Sequence, residues 1–188
     1  MVTRKIYMSH CMIDLETVGN QPGCGILSIG AVLFNPASGN VGSEFYRVIR
    51  RQSCLDAGLF EQTDTLDWWH RQSIEAQEVL LQASKNTGTL DLAKALVQFT
   101  EFLKPASSNV KIWGCGSDFD NVILATAYQA VDQALPLKFW NNRCYRTVKS
   151  LAPLVKMSRQ GVHHHALNDA ISQTLHLIQL YAHLGLKE

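Results

Sequence analysis

The 188-residue sequence predicts an α/β protein in which helices pack on a mixed sheet. Two observations carry this: the first third is a succession of strand-like runs, and the remainder changes to the period of amphipathic helices with one short strand among them. Ile6 to Leu15 is rich in β-branched and aromatic residues, and Ile26 to Phe34 is an apolar run. Glu44 to Ile49 follows the turn-rich Asn35-Pro36-Ala37-Ser38-Gly39-Asn40. Both connections are short enough for hairpins, which makes these three strands an antiparallel meander. Leu92, Leu96, Phe99 and Leu103 then form the stripe of an amphipathic helix that Pro105 stops. Val110 to Trp113 reads as a short strand. Phe119, Val122, Ile123 and Ala127 mark a second helix. Leu167, Ala170, Ile171, Thr174, Leu175, Ile178 and Tyr181 mark a third, closed by Gly185 as its C-cap.

At about 150 residues per domain, the length fits a single domain over residues 1–188. No internal repeat or low-complexity tract divides it, and Ala106-Ser107-Ser108 is long enough only for a loop. Hydrophobic residues make up 46% of the chain and charged ones 18%. The latter is below the roughly 25% of an average globular protein, which argues against a disordered chain and against a charged coiled coil. No apolar run reaches the roughly 18 residues of a membrane span, and Met1-Val2-Thr3-Arg4-Lys5 lacks the apolar stretch of a signal peptide. The expectation is a soluble, cytoplasmic protein with no membrane partner. Cys11, Cys24, Cys54, Cys115 and Cys144 are odd in number and show no C-x-x-C spacing, so buried free thiols are expected rather than disulfides or a zinc knuckle.

The net charge of +1 hides an asymmetry. Between Asp132 and Asp169 there is no acid, while Lys138, Arg143, Arg146, Lys149, Lys156 and Arg159 fall there; the rest of the chain is net acidic. Such a stretch is either a solvated face or a surface for a polyanion, since lysine and arginine clusters supply the sequence-independent part of nucleic-acid affinity.

Four acids are placed to build a site from several elements. Asp14 and Glu16 stand two apart at the end of the first strand, so both carboxylates share one face. Such a pair either faces water or is buried beside a cation, because buried like charges are costly and hard divalent metals prefer carboxylate oxygens. Asp120 opens the second helix. It either completes a capping box with Ser117 or, lying beyond the end of a strand, meets the first pair. Asp169 lies in the first turn of the third helix, with His164 on the approach. An imidazole with an ordinary pKa near 6.5 suits a general base at neutral pH. The run His163-His164-His165 can equally be exposed loop histidines or an adventitious metal patch, and His165 is the second candidate for the base.

In combination these residues resemble a known family. Asp14-Leu15-Glu16-Thr17 is similar to the first motif, D-x-E-T, of DnaQ-like DEDDh 3′→5′ exonucleases; Phe119-Asp120 with Leu124 resembles the second, F-D-x-x-x-L; His164 to Ala170 resembles the third, H-x-A-x-x-D-A. The likeness runs from about residue 6 to 182. Ile26 to Val32 resembles the family's second strand, and Thr65 to Ser73 is similar to a segment of a compact bacterial and phage branch, some of whose members are described as acting on RNA. The resemblance implies a ribonuclease H-like fold with a five-stranded mixed sheet flanked by helices. It implies that Asp14, Glu16, Asp120 and Asp169 hold two Mg²⁺ or Mn²⁺ ions and that His164 is the general base. Leu15, Thr17 and Phe119 would contact the terminal nucleotide, and Trp68 and Trp69 would stack bases or pack in the core. The expected substrate is single-stranded DNA or RNA with a free 3′ end, the products nucleoside 5′-monophosphates, and a homodimer is compatible with the likeness. Gly116 departs from the pattern, in which Asn commonly stands four residues before the second-motif Asp.

Two other readings use the same fold. One is a catalytically silent nucleic-acid-binding module, which the presence of all four acids and the histidine disfavours. The other is a nuclease that cuts internally, for example in RNA–DNA hybrids, which the histidine motif disfavours.

Overall fold

The structure, a computed structural model, describes residues 8–86, 88–116 and 118–187. Three strands, β1 (His10–Thr17), β2 (Ile26–Asn35) and β3 (Asn40–Val48), form the expected antiparallel meander. The Asn35 side-chain oxygen accepts the Ser38 N–H at 2.9 Å and fixes the hairpin turn, so β3 begins at Asn40 rather than at Glu44. β4 (Lys111–Gly114) pairs with β1 in parallel and β5 (Asn142–Cys144) with β4 in parallel, giving the order β3-β2-β1-β4-β5. The sheet is therefore mixed and five-stranded, and its first three strands are antiparallel. Ile6 and Tyr7, assigned above to the first strand, lie outside the described residues.

Helices cover both faces. Alternation along β1 and β2 sends Cys11, Ile13, Leu15, Ile29, Ala31 and Leu33 toward α4 (Leu92–Leu103) and α5 (Asp120–Ala130). Met12, Val32 and Phe34 point the other way, with Trp113 of β4, against Ala170, Leu177 and Leu180 of α7 (Ala166–Leu184). A third apolar group joins Val18, Leu27 and Val48 to Trp69 of α2 (Thr63–Trp69) and to Val79, Leu80 and Ala83 of α3 (Ile74–Lys85). The remaining helices are α1 (Arg51–Asp56) and α6 (Tyr145–Leu151). α4 ends ahead of Pro105, and α7 ends on Gly185 at φ 65°, as the sequence predicts.

Not every element announces itself. α1, α2, α6 and β5 have seven residues or fewer, too short to show a period. α3 is different: Ala76, Val79, Leu80 and Ala83 form a legible stripe, and Ser73 caps it by accepting the Ala76 N–H at 3.2 Å.

One close approach sets the position of the last helix. A Cβ on Gly30 would stand 2.2 Å from the Ala166 carbonyl carbon, so the start of α7 lies against β2 at the residue paired with Asp14. Among the described residues no helix is long and apolar enough to cross a membrane. The cysteines are free thiols, of which Cys11, Cys24 and Cys54 are buried.

Candidate active site

Because Met12 faces α7, so do Asp14 and Glu16, two and four residues further along β1. Their carboxylates meet that of Asp169, from the first turn of α7, and oxygens of the three lie within 4.8 Å of one another. They line a cavity of about 620 Å³ together with Asp120, His164, Trp68, Phe119, Tyr145, Arg146, Lys149 and Arg159.

Asp120 is the first residue of α5, and its two oxygens are directed at backbone. Oδ1 accepts the Leu15 N–H at 3.1 Å and Oδ2 accepts the Cys115 N–H at 2.7 Å. The carboxylate thus ties the end of β1 to the loop after β4. A capping box would put Asp120 three residues into a helix begun by Ser117; Phe119 instead precedes the helix and Asp120 opens it, while Ser117 lies outside the described residues. The acid serves two strands at once because it sits where the parallel strands β1 and β4 both end.

The electrostatics are those of an under-neutralised cluster. Burial raises Asp14 well above the ordinary carboxylate range, and repulsion from Asp120, Glu16 and Asp169 adds to it, opposed by a hydrogen bond from Gln173. Burial and the charges of Asp169 and Asp120 likewise raise Glu16. Asp120 is pushed up to about 6 by burial, held from going higher by its two backbone donors. Gln173, one turn after Asp169, donates its Nε2–H to Asp14 Oδ1 at 2.7 Å. Sequence reasoning missed it, although its spacing from Asp169 puts it on the same helix face. Arg159 is the cation in direct contact, paired with Asp169 Oδ1.

His164 adopts φ 62°, a left-handed conformation, and its N–H donates to Asp169 Oδ2 at 2.9 Å. The ring stands edge-on to Trp68 with centroids 4.8 Å apart. Partial burial and the neighbouring His163 lower its pKa, partly offset by Asp169, which favours the neutral imidazole. His165 points elsewhere: its ring stacks on Tyr46 at 4.3 Å, and its Nδ1 accepts the Asn168 N–H at the start of α7. Of the two candidate bases, only His164 lines the cavity.

The expected nucleotide contacts are partly occupied within the protein. Leu15 lines the cavity while most of its side chain joins the α4–α5 core, and its N–H is taken by Asp120. Thr17 donates its hydroxyl to the Gly19 carbonyl at 2.6 Å, and its own carbonyl accepts the Trp69 indole N–H at 2.8 Å. Phe119 is half-buried at the cavity wall. The tryptophans differ in burial: both border the cavity, but Trp69 is buried in the core, whereas Trp68 is only partly buried. Gly116 holds φ 153°, which side chains rarely adopt, and a Cβ there would meet Phe119 Cβ at 3.4 Å and the Arg146 guanidinium at 3.9 Å. Arg146 in turn donates to the Cys115 carbonyl at 2.9 Å.

Comparison with known proteins agrees with this geometry. A family model described as the 3′-5′ exoribonuclease Rv2179c-like domain matches residues 9–180. The chain is 23% identical over 203 aligned positions to the "Exodeoxyribonuclease" of Enterobacteria phage T4, covering 89% of this chain and 87% of that protein. Its fold matches the nuclease domain of 3′hExo, a DEDDh family member solved with rAMP bound, at a TM-score of 0.61 and 13% identity over 96% of this chain and 95% of that one. It also matches S. pombe Pop2p in a Mg²⁺- and Mn²⁺-bound form, at a TM-score of 0.59 and 13% identity over 94% and 83% of the two chains. The chain belongs to the 3′-5′ exoribonuclease Rv2179c-like family and is a 3′→5′ exonuclease of the DnaQ-like DEDDh type.

Proposed function

We propose that this exonuclease is divalent-metal-dependent, acts as one domain on single-stranded RNA or DNA ends and releases nucleoside 5′-monophosphates. The observation that carries the reading is the cluster itself. Asp14, Glu16 and Asp169 bring carboxylate oxygens within 4.8 Å, largely out of water, with Arg159 as the one cation paired to any of them among the described residues. The site fits hard cations: its donors are carboxylate oxygens, its repulsion is only partly compensated, and the buried Gln173 Oε1 beside it lacks a hydrogen-bond partner. Asp14, Glu16, Asp120 and Asp169 would hold two Mg²⁺ or Mn²⁺ ions.

When bound, such ions supply an activated water and stabilise the attacking and leaving oxygens of an in-line displacement at phosphorus. The protein's own groups do the rest. His164 accepts the proton of the attacking water, its ring held by Trp68 and its backbone by Asp169. Gln173 keeps Asp14 turned inward. Leu15, Thr17 and Phe119 border the place of the terminal nucleotide, and Trp68 offers its face to a base. Beside the site lies a groove of about 740 Å³ bordered by Arg146, Lys149, Lys156 and Arg159, without an acid, which suits the phosphates of the incoming strand. The family description favours RNA and the phage relative favours DNA, so both sugars are assayed.

The test is digestion of 5′-labelled single-stranded RNA and DNA oligonucleotides in Mg²⁺, Mn²⁺ or EDTA, beside Asp14→Ala. The expected outcome is a ladder shortening from the 3′ end, absent in EDTA and in the variant. Shortening that persists in either would overturn the metal assignment, and tight, salt-sensitive binding without cleavage would make this chain a silent module.

A further inference from the structure

The histidine run next to the acids is arranged in a way the proposed reaction does not use. In extended backbone, consecutive side chains point to opposite sides, so His163 and His164 would diverge. The left-handed φ of 62° at His164 accompanies the opposite result: the two imidazoles are near-parallel, 24° apart, with centroids at 3.7 Å. One nitrogen from each ring and one oxygen of Asp169 lie within 4.8 Å of one another. His163 is exposed, His164 half-buried and Asp169 buried, so the trio opens outward from the carboxylate cluster.

Two imidazoles and one carboxylate are the wrong donors for Mg²⁺, which prefers oxygen. They are good donors for borderline first-row cations, whose affinity for such sites rises along the series toward Cu²⁺ and Zn²⁺. We propose that His163, His164 and Asp169 form an inhibitory site for a borderline transition cation, Zn²⁺ foremost. The lone pair that His164 would use on water goes to the cation, and Asp169 is drawn away from the magnesium-type cluster. Asp169 Oδ2 already accepts the His164 N–H and Oδ1 faces Arg159, so the carboxylate is held at the junction of both sites. The inhibition, though not the binding, rests on His164 and Asp169 having the roles proposed above.

The experiment uses untagged full-length protein in excess Mg²⁺, so that the carboxylate cluster is supplied before the probe is added. Zn²⁺ is titrated calorimetrically, and Co²⁺ is followed by its visible absorption, into wild type, His163→Ala and His163→Phe. The phenylalanine variant keeps a ring stacked on His164 but removes the ligand. Turnover is normalised to each variant's own rate in Mg²⁺ alone. The expected result is binding of one Zn²⁺ per chain, weakened about tenfold or more in both variants, with the inhibitory concentration rising in parallel. Equal Zn²⁺ binding in all three proteins, or no Zn²⁺ binding over Mg²⁺, overturns the proposal. If the wild type does not cleave in Mg²⁺, the proposed function fails, while the calorimetric and Co²⁺ titrations still decide this one.

Discussion

Asp14 is held in a place that electrostatics disfavours. Its folded pKa, like those of Glu16 and Asp120, lies above the unfolded value, so protonation favours the fold. The stability these groups contribute is full below about pH 4, the unfolded range, and is lost as pH rises, Asp120 releasing its proton at about 6. In EDTA, the cluster should therefore make the protein melt lower at pH 7.5 than at pH 5. Asp14→Asn removes one charge and keeps an oxygen for Gln173. Its metal-free melting temperature at pH 7.5 should rise by roughly 2–4 °C, on the order of 1 kcal/mol, while turnover is lost. Calorimetric melts with and without Mg²⁺ check this, and a variant that melted lower would refute the repulsion. At this scale the pairing of Asp14 with Glu16 was legible, because a period of two is local. Gln173 was only half legible: its spacing puts it on the face of Asp169, but nothing local says that its amide reaches across to Asp14 on β1.

Among the elements, α7 was the most legible and carries the most consequence. Its stripe and terminal glycine stand in the sequence, but its contact with β2 does not, because that contact depends on the absence of a side chain at Gly30. Gly30→Ala would drive a methyl into the Ala166 backbone. It should destabilise the protein by about 2–3 kcal/mol and shift Asp169 away from Asp14. Urea unfolding reads the first effect, and the Mg²⁺ concentration for half-maximal turnover, which should rise, reads the second. An unaltered metal requirement would separate the contact from the site. α2 shows the limit of reading by residue type: Trp68 and Trp69 are chemically identical and both border the cavity, and only the packing buries Trp69 in the core while leaving Trp68 partly exposed. The histidine run poses the same problem, resolved by the stacking of His165 on Tyr46.

On the scale of the whole molecule, a basic groove adjoins the four acids of the site. The acids gather where β1, β4 and the start of α7 meet, and the basic stretch supplies the adjoining groove through α6 and the loop after it. That asymmetry was visible in the sequence as an acid-free interval, although which of its cations reach the groove was not: Arg146, Lys149, Lys156 and Arg159 do. Lys149→Ala and Lys156→Ala should each raise KM for single-stranded oligonucleotides and lower the slope of log KM against log salt by about 0.7, with kcat nearly unchanged. A salt slope that neither substitution moves would place the strand elsewhere.

The four acids span nearly the length of the chain, and the last of them arrives on the helix that completes the sheet's second face. A chain still being translated, with residues 166–184 inside the ribosome, has strands and three of the carboxylates but no Asp169 and no His164 held against it. The acid cluster and the cover of the sheet's second face are therefore completed in one step, when α7 docks.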